Sequence, residues 1–253
     1  MGRFAVGGSA GFAMGPLLAG GVYVFGAQFL WVFTAIALLG VLLYLYAFTG
    51  EADTTNAGES KSPATSTHMG TNDWASFGKL FFVIASRSIL FSVLSIFIPI
   101  LYITVINGEA SASSLALTMY FAMGAVLTYM GGALSDKLGF LKTVRLGNLI
   151  FLPSVLVFIF VPNIWGFFGA MIPMAFGVFS QYGPITVLGQ KYLAKNAGFA
   201  SGITLGLGIT LGGLVAPYVG HLADIYDVQT ALMTLIPVGL MGLLMSLWLK
   251  EPK

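Results

Sequence analysis

No stretch constrains this chain more than residues 131–145, GGALSDKLGFLKTVR, a charged turn set between two apolar runs. The run before it, 113–130, and the run after it, 146–161, contain no ionised side chain. Each is near the length a helix needs to cross a bilayer core of about 30 Å at 1.5 Å per residue. The charges therefore stay in water, and so short a connection makes the two runs adjacent and antiparallel. Lys137, Lys142 and Arg145 assign the turn to the cytoplasmic side, because cytoplasmic loops carry an excess of basic residues. Every other span takes its orientation from that one.

Of the 253 residues, 57% are hydrophobic and only 8% are charged, a composition that no water-exposed domain of this size could carry on its surface. The expected class is an all-α polytopic membrane protein. With no cysteine there is no disulfide framework, thiol nucleophile or cysteine metal site. The formal charge of +2 conceals a strong asymmetry in where the charges lie, and it implies no nucleic-acid surface. Met1, Gly2 and Arg3 run straight into a glycine-rich apolar segment without an A-x-A-like cleavage site, so no removable signal peptide is expected. Val6 stands where myristoylation wants Ser or Thr.

Eight spans can be drawn, at about 4–22, 28–48, 77–106, 113–130, 146–161, 164–188, 200–219 and 230–249. The first two form a helical hairpin. Residues 49–73 switch to Glu, Asp, Asn, Thr, Ser and Lys with Pro63 and read as a solvated cytoplasmic linker. The third span is overlong and contains Arg87 and Pro99, so a tilt or kink is expected there. Both termini then face the cytoplasm. Of the 11 basic residues, Arg3, Lys61, Lys79, Lys137, Lys142, Arg145, Lys191, Lys195, Lys250 and Lys253 fall on the cytoplasmic side, and Arg87 alone lies in the membrane. The outer loops hold Glu109, His221, Asp224 and Asp227 instead, a division that was not used to draw the spans.

The first and seventh spans resemble each other at a shift of 201 positions, from Gly7 to Gly208. Gly11 then matches Gly212, Pro16 matches Pro217, Gly15 matches Ala216 and Ala19 matches Gly220. Glycines at such spacing let helices approach closely in lipid, so Gly11, Gly15, Pro16, Gly212 and Pro217 are expected to serve packing and bending. A repeat unit of about 200 residues makes 74–253 a complete six-helix half and 1–48 the last two helices of another. The expectation is a partial fold, the C-terminal two thirds of a twelve-helix protein whose missing N-terminal helices are required for function, in an arrangement transporters use.

These features together resemble the major facilitator superfamily of secondary transporters. Gly132-x-Leu134-x-Asp136-Lys137-x-Gly139 is similar to that family's cytoplasmic loop motif, departing at Phe140 and Leu141, where basic residues are usual. The first span, with Gly2, Gly11, Gly15, Pro16 and Gly20, is similar to the family's antiporter motif, with Ala19 in place of a glycine, which makes that span the fifth helix of twelve. More narrowly, residues 6–20, Arg87 preceded by Ser86, and residues 200–224 resemble the fosmidomycin-resistance group of drug exporters. The resemblance implies export of a drug or small anionic metabolite by alternating access, in exchange for protons, from the plasma (inner) membrane.

Among individual residues Arg87 is the most informative, since an ionised group at membrane depth costs at least about 2.5–3.5 kcal/mol on insertion scales. It either faces a central cavity, where it attracts an anionic substrate or pairs with a carboxylate of the missing helices, or snorkels to the headgroups. Asp136 and Lys137 are expected to act at a gate, with Gly132 and Gly139 of the same motif, pairing with a neighbouring loop in one conformational state. Gln181 and Tyr182, with Ser180, lie between Pro173 and Pro184 and either line the cavity as substrate-binding groups or satisfy backbone carbonyls that proline frees. His221 with Asp224 and Asp227 reads as a wetted loop, so no metal site and no cofactor is expected. The spacing of Gly206, Gly208 and Gly212 does not fit a dinucleotide loop. No span pairs a nucleophile with a base, which argues against an enzyme. None of the nine acidic residues lies at membrane depth, so a proton carrier would have to sit in the missing helices. An importer or exchanger of an organic anion or sugar on the same fold, or a fragment that inserts but does not transport, remain the alternatives.

Overall fold

The computed structural model describes residues 71–161 and 163–252, with the backbone alone at 111, together with positions 16, 31, 34, 35, 38–42 and 45. The described chain is helical throughout. In order it forms α1 (Trp74–Thr104), α2 (Ala110–Leu138), α3 (Phe140–Phe160), α4 (Ile164–Phe179), α5 (Tyr182–Tyr192), a 3₁₀ turn (Ala194–Asn196), α6 (Ala197–Ile225), α7 (Val228–Met233) and α8 (Leu235–Trp248). Counted as continuous or nearly continuous rods, these give 6 helices long and apolar enough to span a membrane, among them Trp74–Thr104, Ile164–Tyr192 and Val228–Trp248. They coincide with the last six spans drawn from sequence. The first two spans and the linker lie outside the described residues, apart from the isolated helical positions already named.

Alternation of the helices collects Asp73, Gly139, Lys195 and Lys250 at one end, the basic end, and Asn107, Asn163 and Asp227 at the other, the acidic end. Hydrogen bonds across the basic end confirm the grouping: the Asp73 backbone N–H donates to the Tyr192 carbonyl at 2.8 Å, and Asn72 Nδ2 to Asn196 Oδ1 at 2.6 Å. Asp73 also opens α1, its carboxylate accepting from the Ser76 backbone N–H at 2.9 Å and from the Ser76 hydroxyl at 2.7 Å. This satisfies a donor that the first helical turn would otherwise leave bare. At the acidic end Asn163 caps α4 and Asp227 caps α7 in the same way.

The turn at 131–145 is far shorter than its charges suggest. Both helices run through it, α2 to Leu138 and α3 from Phe140, and Gly139 alone stands between them at φ 95° and ψ 151°. Helical hydrogen bonding continues through the charged segment, so its ionised residues do not mark where the helices stop. Pro99 sits inside α1 without ending it. The rod at 164–192 is instead interrupted at Ser180 and Gln181, and the last rod at Thr234.

α1 is the hub, packed along α6 on one side, α8 on another and α2 on a third, while α3 lies between α4 and α8. The α1–α6 contact is close enough to require glycine at 212, where a Cβ would overlap the Ser88 carbonyl oxygen and the Ser92 hydroxyl. Without a hydrophobic drive between helices in lipid, approach of this kind supplies the dispersion contact that holds them. Two separate apolar clusters result. One, towards the acidic end, includes Phe97, Tyr120, Phe151, Phe167, Met174 and Phe179. The other, towards the basic end, includes Phe77, Leu80, Ile84, Val144, Leu188 and Leu249.

Candidate functional site

Between the two clusters α1, α3, α6, α8 and the break between α4 and α5 turn polar or small at the same level. α1 contributes Ser86, Arg87 and Ser88, between Ile84 of one cluster and Leu90 of the other. α3 contributes Gly147 and Asn148, between Val144 and Phe151, and the interrupted rod contributes Ser180 and Gln181, between Phe179 and Ile185. α6 adds Gly208 and α8 adds Gly242, both buried. The outcome is a polar belt across the bundle at mid-depth.

Arg87 is the only ionised group in it. It lies roughly 20 Å along α1 from Trp74 and is 6% exposed. Its guanidinium stands 5.1 Å from the centre of the Tyr182 ring, a cation–π distance, and Nη2 is 3.5 Å from the Gly208 carbonyl oxygen, at the outer limit of a hydrogen bond. Tyr182 and Tyr120 are ionisable groups in electrostatic reach of it; no carboxylate of the described residues is. The flanking serines hold the helix in place. The Ser86 hydroxyl donates to the Val238 carbonyl at 2.7 Å, and Ser88 Oγ accepts from the Gly212 backbone N–H at 2.9 Å. Arg87 is thus a buried cation on a pinned helix, and its partners among the described residues are an aromatic ring and a backbone carbonyl.

Gln181 and Tyr182 sit side by side in sequence but differ in occupation. Gln181, 1% exposed, donates through Nε2 to the Gly177 carbonyl and meets Asn148 in a reciprocal amide pair, with Nε2 3.3 Å from Asn148 Oδ1 and Asn148 Nδ2 3.4 Å from Gln181 Oε1. Asn148 Nδ2 also donates to the Val144 carbonyl at 3.1 Å. The Gln181 side chain is thus occupied by Asn148 and by the Gly177 carbonyl, which is not one that proline frees: Pro184 frees the carbonyl of Ser180. Tyr182 is half-buried and faces Arg87. Ser180 is fully buried, and its hydroxyl has no hydrogen-bond partner among the described residues, a property it shares with Tyr120.

A cleft of about 460 Å³ opens between α1, α2 and α6, lined by Phe91, Ser95, Ile96, Phe121, Ala216 and Pro217 among others. Phe91 follows Arg87 by one helical turn on the same face of α1. At the basic end a second cleft of about 360 Å³ is lined by Asp136, Gly139, Phe140, Lys191 and Glu251. Asp136 and Lys137 are exposed and Gly132 is half-buried. Lys191 lies 4.7 Å from the centre of the Phe140 ring, so a basic group from α5 covers the position where the loop motif has an aromatic. Arg145, expected only to mark topology, closes the end of α8. It donates from Nε to the Ser246 carbonyl at 3.0 Å and from Nη2 to those of Leu247 and Leu249 at 3.1 and 2.8 Å.

Of the packing residues read from sequence, Gly212 is buried in the α1–α6 contact, and Pro217 is exposed and lines the larger cleft. Gly11 and Gly15 lie outside the described residues; Pro16 is helical and half-buried. His221, Asp224 and Asp227 are exposed or half-exposed at the acidic end, and no grouping of three metal-ligating side chains occurs among the described residues. Sequence reasoning missed Asn148 and Tyr120. Asn148 had a signal, an amide alone in an apolar run. Tyr120 had none, because nothing local separates it from the lipid-facing aromatics.

A family model of the Major Facilitator Superfamily matches this chain twice, over residues 1–217 and 80–253. The chain is also 24% identical over 258 residues to an uncharacterized MFS-type transporter, YfnC, of Bacillus subtilis (strain 168). That alignment covers 99% of this chain and 62% of YfnC, so the chain spans less than two thirds of that relative's length. The helical bundle, the apolar spans and the extent of the family match lead to one conclusion: this chain belongs to the major facilitator superfamily.

Proposed function

We propose that this chain forms the larger part of a secondary transporter that exports a drug or small organic anion by alternating access, and that Arg87 with Tyr182 forms the charged part of its substrate site. The single observation that carries the reading is the burial of Arg87 at mid-depth without a carboxylate among the described residues. Ionised groups at membrane depth are rare and mark substrate pathways or charge pairs, which is what supports a ligand-binding role for Arg87. Family membership supports transport in general, and the double match of the family model is in keeping with two similar halves. In this reading residues 74–253 are the C-terminal six-helix half, 49–73 is a cytoplasmic linker and 1–48 supplies the fifth and sixth helices, with four more helices completing the transporter. Both termini lie in the cytoplasm, at the inner membrane.

Asp136 and Lys137, with Gly132 and Gly139, act at the cytoplasmic gate, where the cleft shared with Lys191 and Glu251 gives Asp136 charged neighbours to exchange. In this reading Gly11, Gly15 and Pro16 serve close packing and bending in the other half, as Gly212 serves close packing in this one. Proton exchange, if it drives export, uses a carboxylate outside the described spans. The test is accumulation of labelled organic anions in energised everted vesicles holding the full-length protein. Arg87→Gln should lower accumulation at least about tenfold, and Arg87→Lys should lower it less. Unchanged transport in both variants would overturn the role assigned to Arg87. Accumulation only in right-side-out vesicles would favour an importer instead.

A further inference from the structure

Tyr120 on α2 is fully buried, and its hydroxyl has no hydrogen-bond partner among the described residues. Taking a hydroxyl out of water without a replacement bond costs free energy, so a group left in that condition calls for a reason. Packing does not supply one. The ring lies 5.2 Å from that of Phe179 at 64° and 5.7 Å from that of Phe121 at 55°, contacts that a phenylalanine would make equally well. What the hydroxyl does have in electrostatic reach is a buried cation, Arg87.

Ring contacts trace the same proximity. Phe179, which packs against Tyr120, also meets Phe91 at 5.8 Å and 82°, and Phe91 is one helical turn from Arg87 on α1. Three positions after Phe179, Tyr182 presents its ring to the guanidinium at 5.1 Å. The break between α4 and α5 is therefore met by Arg87 from α1 and by Tyr120 from α2. Close approach holds α2 there: a Cβ at Gly124 would overlap the Phe179 ring, and one at Gly131 the Ser180 backbone. Resting on the proposed role of Arg87 in substrate binding, we infer that Tyr120 is a further substrate-binding residue, whose hydroxyl donates to one oxygen of an organic acid while Arg87 pairs with the other. A carboxylate suits two such donors, because it accepts at both oxygens, and a guanidinium accepts nothing. The hydroxyl is closed to water in this conformation, so the acid meets it in another, and the bare hydroxyl favours that change.

The experiment uses the full-length protein in nanodiscs, with affinity read from the rise of the unfolding midpoint as ligand is added. The probes are acetate, benzoate and 4-phenylbutyrate, each beside its neutral amide. Tyr120→Phe should weaken binding of the acids about tenfold or more, as loss of a hydrogen bond to a charged group does. It should still bind acid better than amide, because Arg87 remains. Arg87→Gln should erase the preference for acid. Without ligand, Tyr120→Phe should unfold at the wild-type temperature or above it, since the change removes an unpaired buried group. A lower unliganded midpoint would give the hydroxyl a structural partner and overturn the inference. Wild-type affinity for the acids in Tyr120→Phe, with the acid preference lost in Arg87→Gln, would overturn the role of Tyr120 and leave that of Arg87 standing. An acid preference kept in Arg87→Gln, or binding of none of the acids by the wild type, would overturn both.

Discussion

Ser86, Arg87 and Ser88 illustrate how much one helical turn can be asked to do. The serines fix α1 to α8 and α6 through the Val238 carbonyl and the Gly212 backbone N–H, and between them Arg87 is left with an aromatic face and a distant carbonyl. The Asn148–Gln181 pair is the complementary case, an arrangement in which both amides are occupied. Replacing either by Leu removes the described partner of the other's side-chain oxygen, while its Nδ2 or Nε2 keeps a backbone carbonyl, at about 1–3 kcal/mol for an unsatisfied group in a folded protein and nearer 0.6 kcal/mol if membrane pairs set the scale. Thermal unfolding in detergent of Asn148→Leu, Gln181→Leu and the double variant checks this. The double variant should cost less than the two singles together, and strict additivity would mean that the pair does not act as a unit. Arg87 was legible in the sequence because a charge in an apolar run has few explanations. The amide pair was not, because its members are 33 positions apart and only the fold brings them together.

At the scale of the element, span positions were read correctly from hydropathy over 74–249, whereas helix ends were not. Hydrocarbon thickness governs the first and capping chemistry the second, which is why the charged segment 131–145 proved to be almost wholly helical around Gly139. Asp73 is the clearest example of such chemistry. Hydrogen bonds from the Ser76 hydroxyl and then from its backbone N–H hold the Asp73 carboxyl below its ordinary pKa of 3.8. A depressed carboxylate contributes stability above its ordinary pKa and loses it as pH falls through the lowered value. Asp73→Ala should therefore cost about 0.5–2 kcal/mol at neutral pH, as for other N-caps. The gap between wild type and variant should close as the pH drops below about 4. A gap that stays constant down to about pH 3 in thermal unfolding would mean that the carboxylate is not the stabilising group.

For the molecule as a whole, the division into a basic and an acidic end is a prediction about which side of a membrane each loop meets. The absence of cysteine from the 253 residues lets Lys195→Cys and Asp227→Cys be labelled separately in intact cells. A membrane-impermeant maleimide should reach Asp227→Cys from outside and Lys195→Cys only after the membrane is opened; the reverse pattern would invert the orientation. The six described spans and the adjacency of α2 and α3 follow from apolar length and charge placement, but the other helix pairings and the polar belt do not, because the belt exists only once α1, α3, the break before α5, α6 and α8 are stacked in register. The connection through Gly139 has a further bearing, on how the chain is made. With one residue between α2 and α3, the second helix emerges from the ribosome while the end of the first is still held beside it. In the proposed orientation Lys137 and Lys142 lie on the side of synthesis. In that orientation the expectation is that the two enter the bilayer together as a hairpin, and that an L side chain at Gly139, where φ is 95°, strains the connection they share.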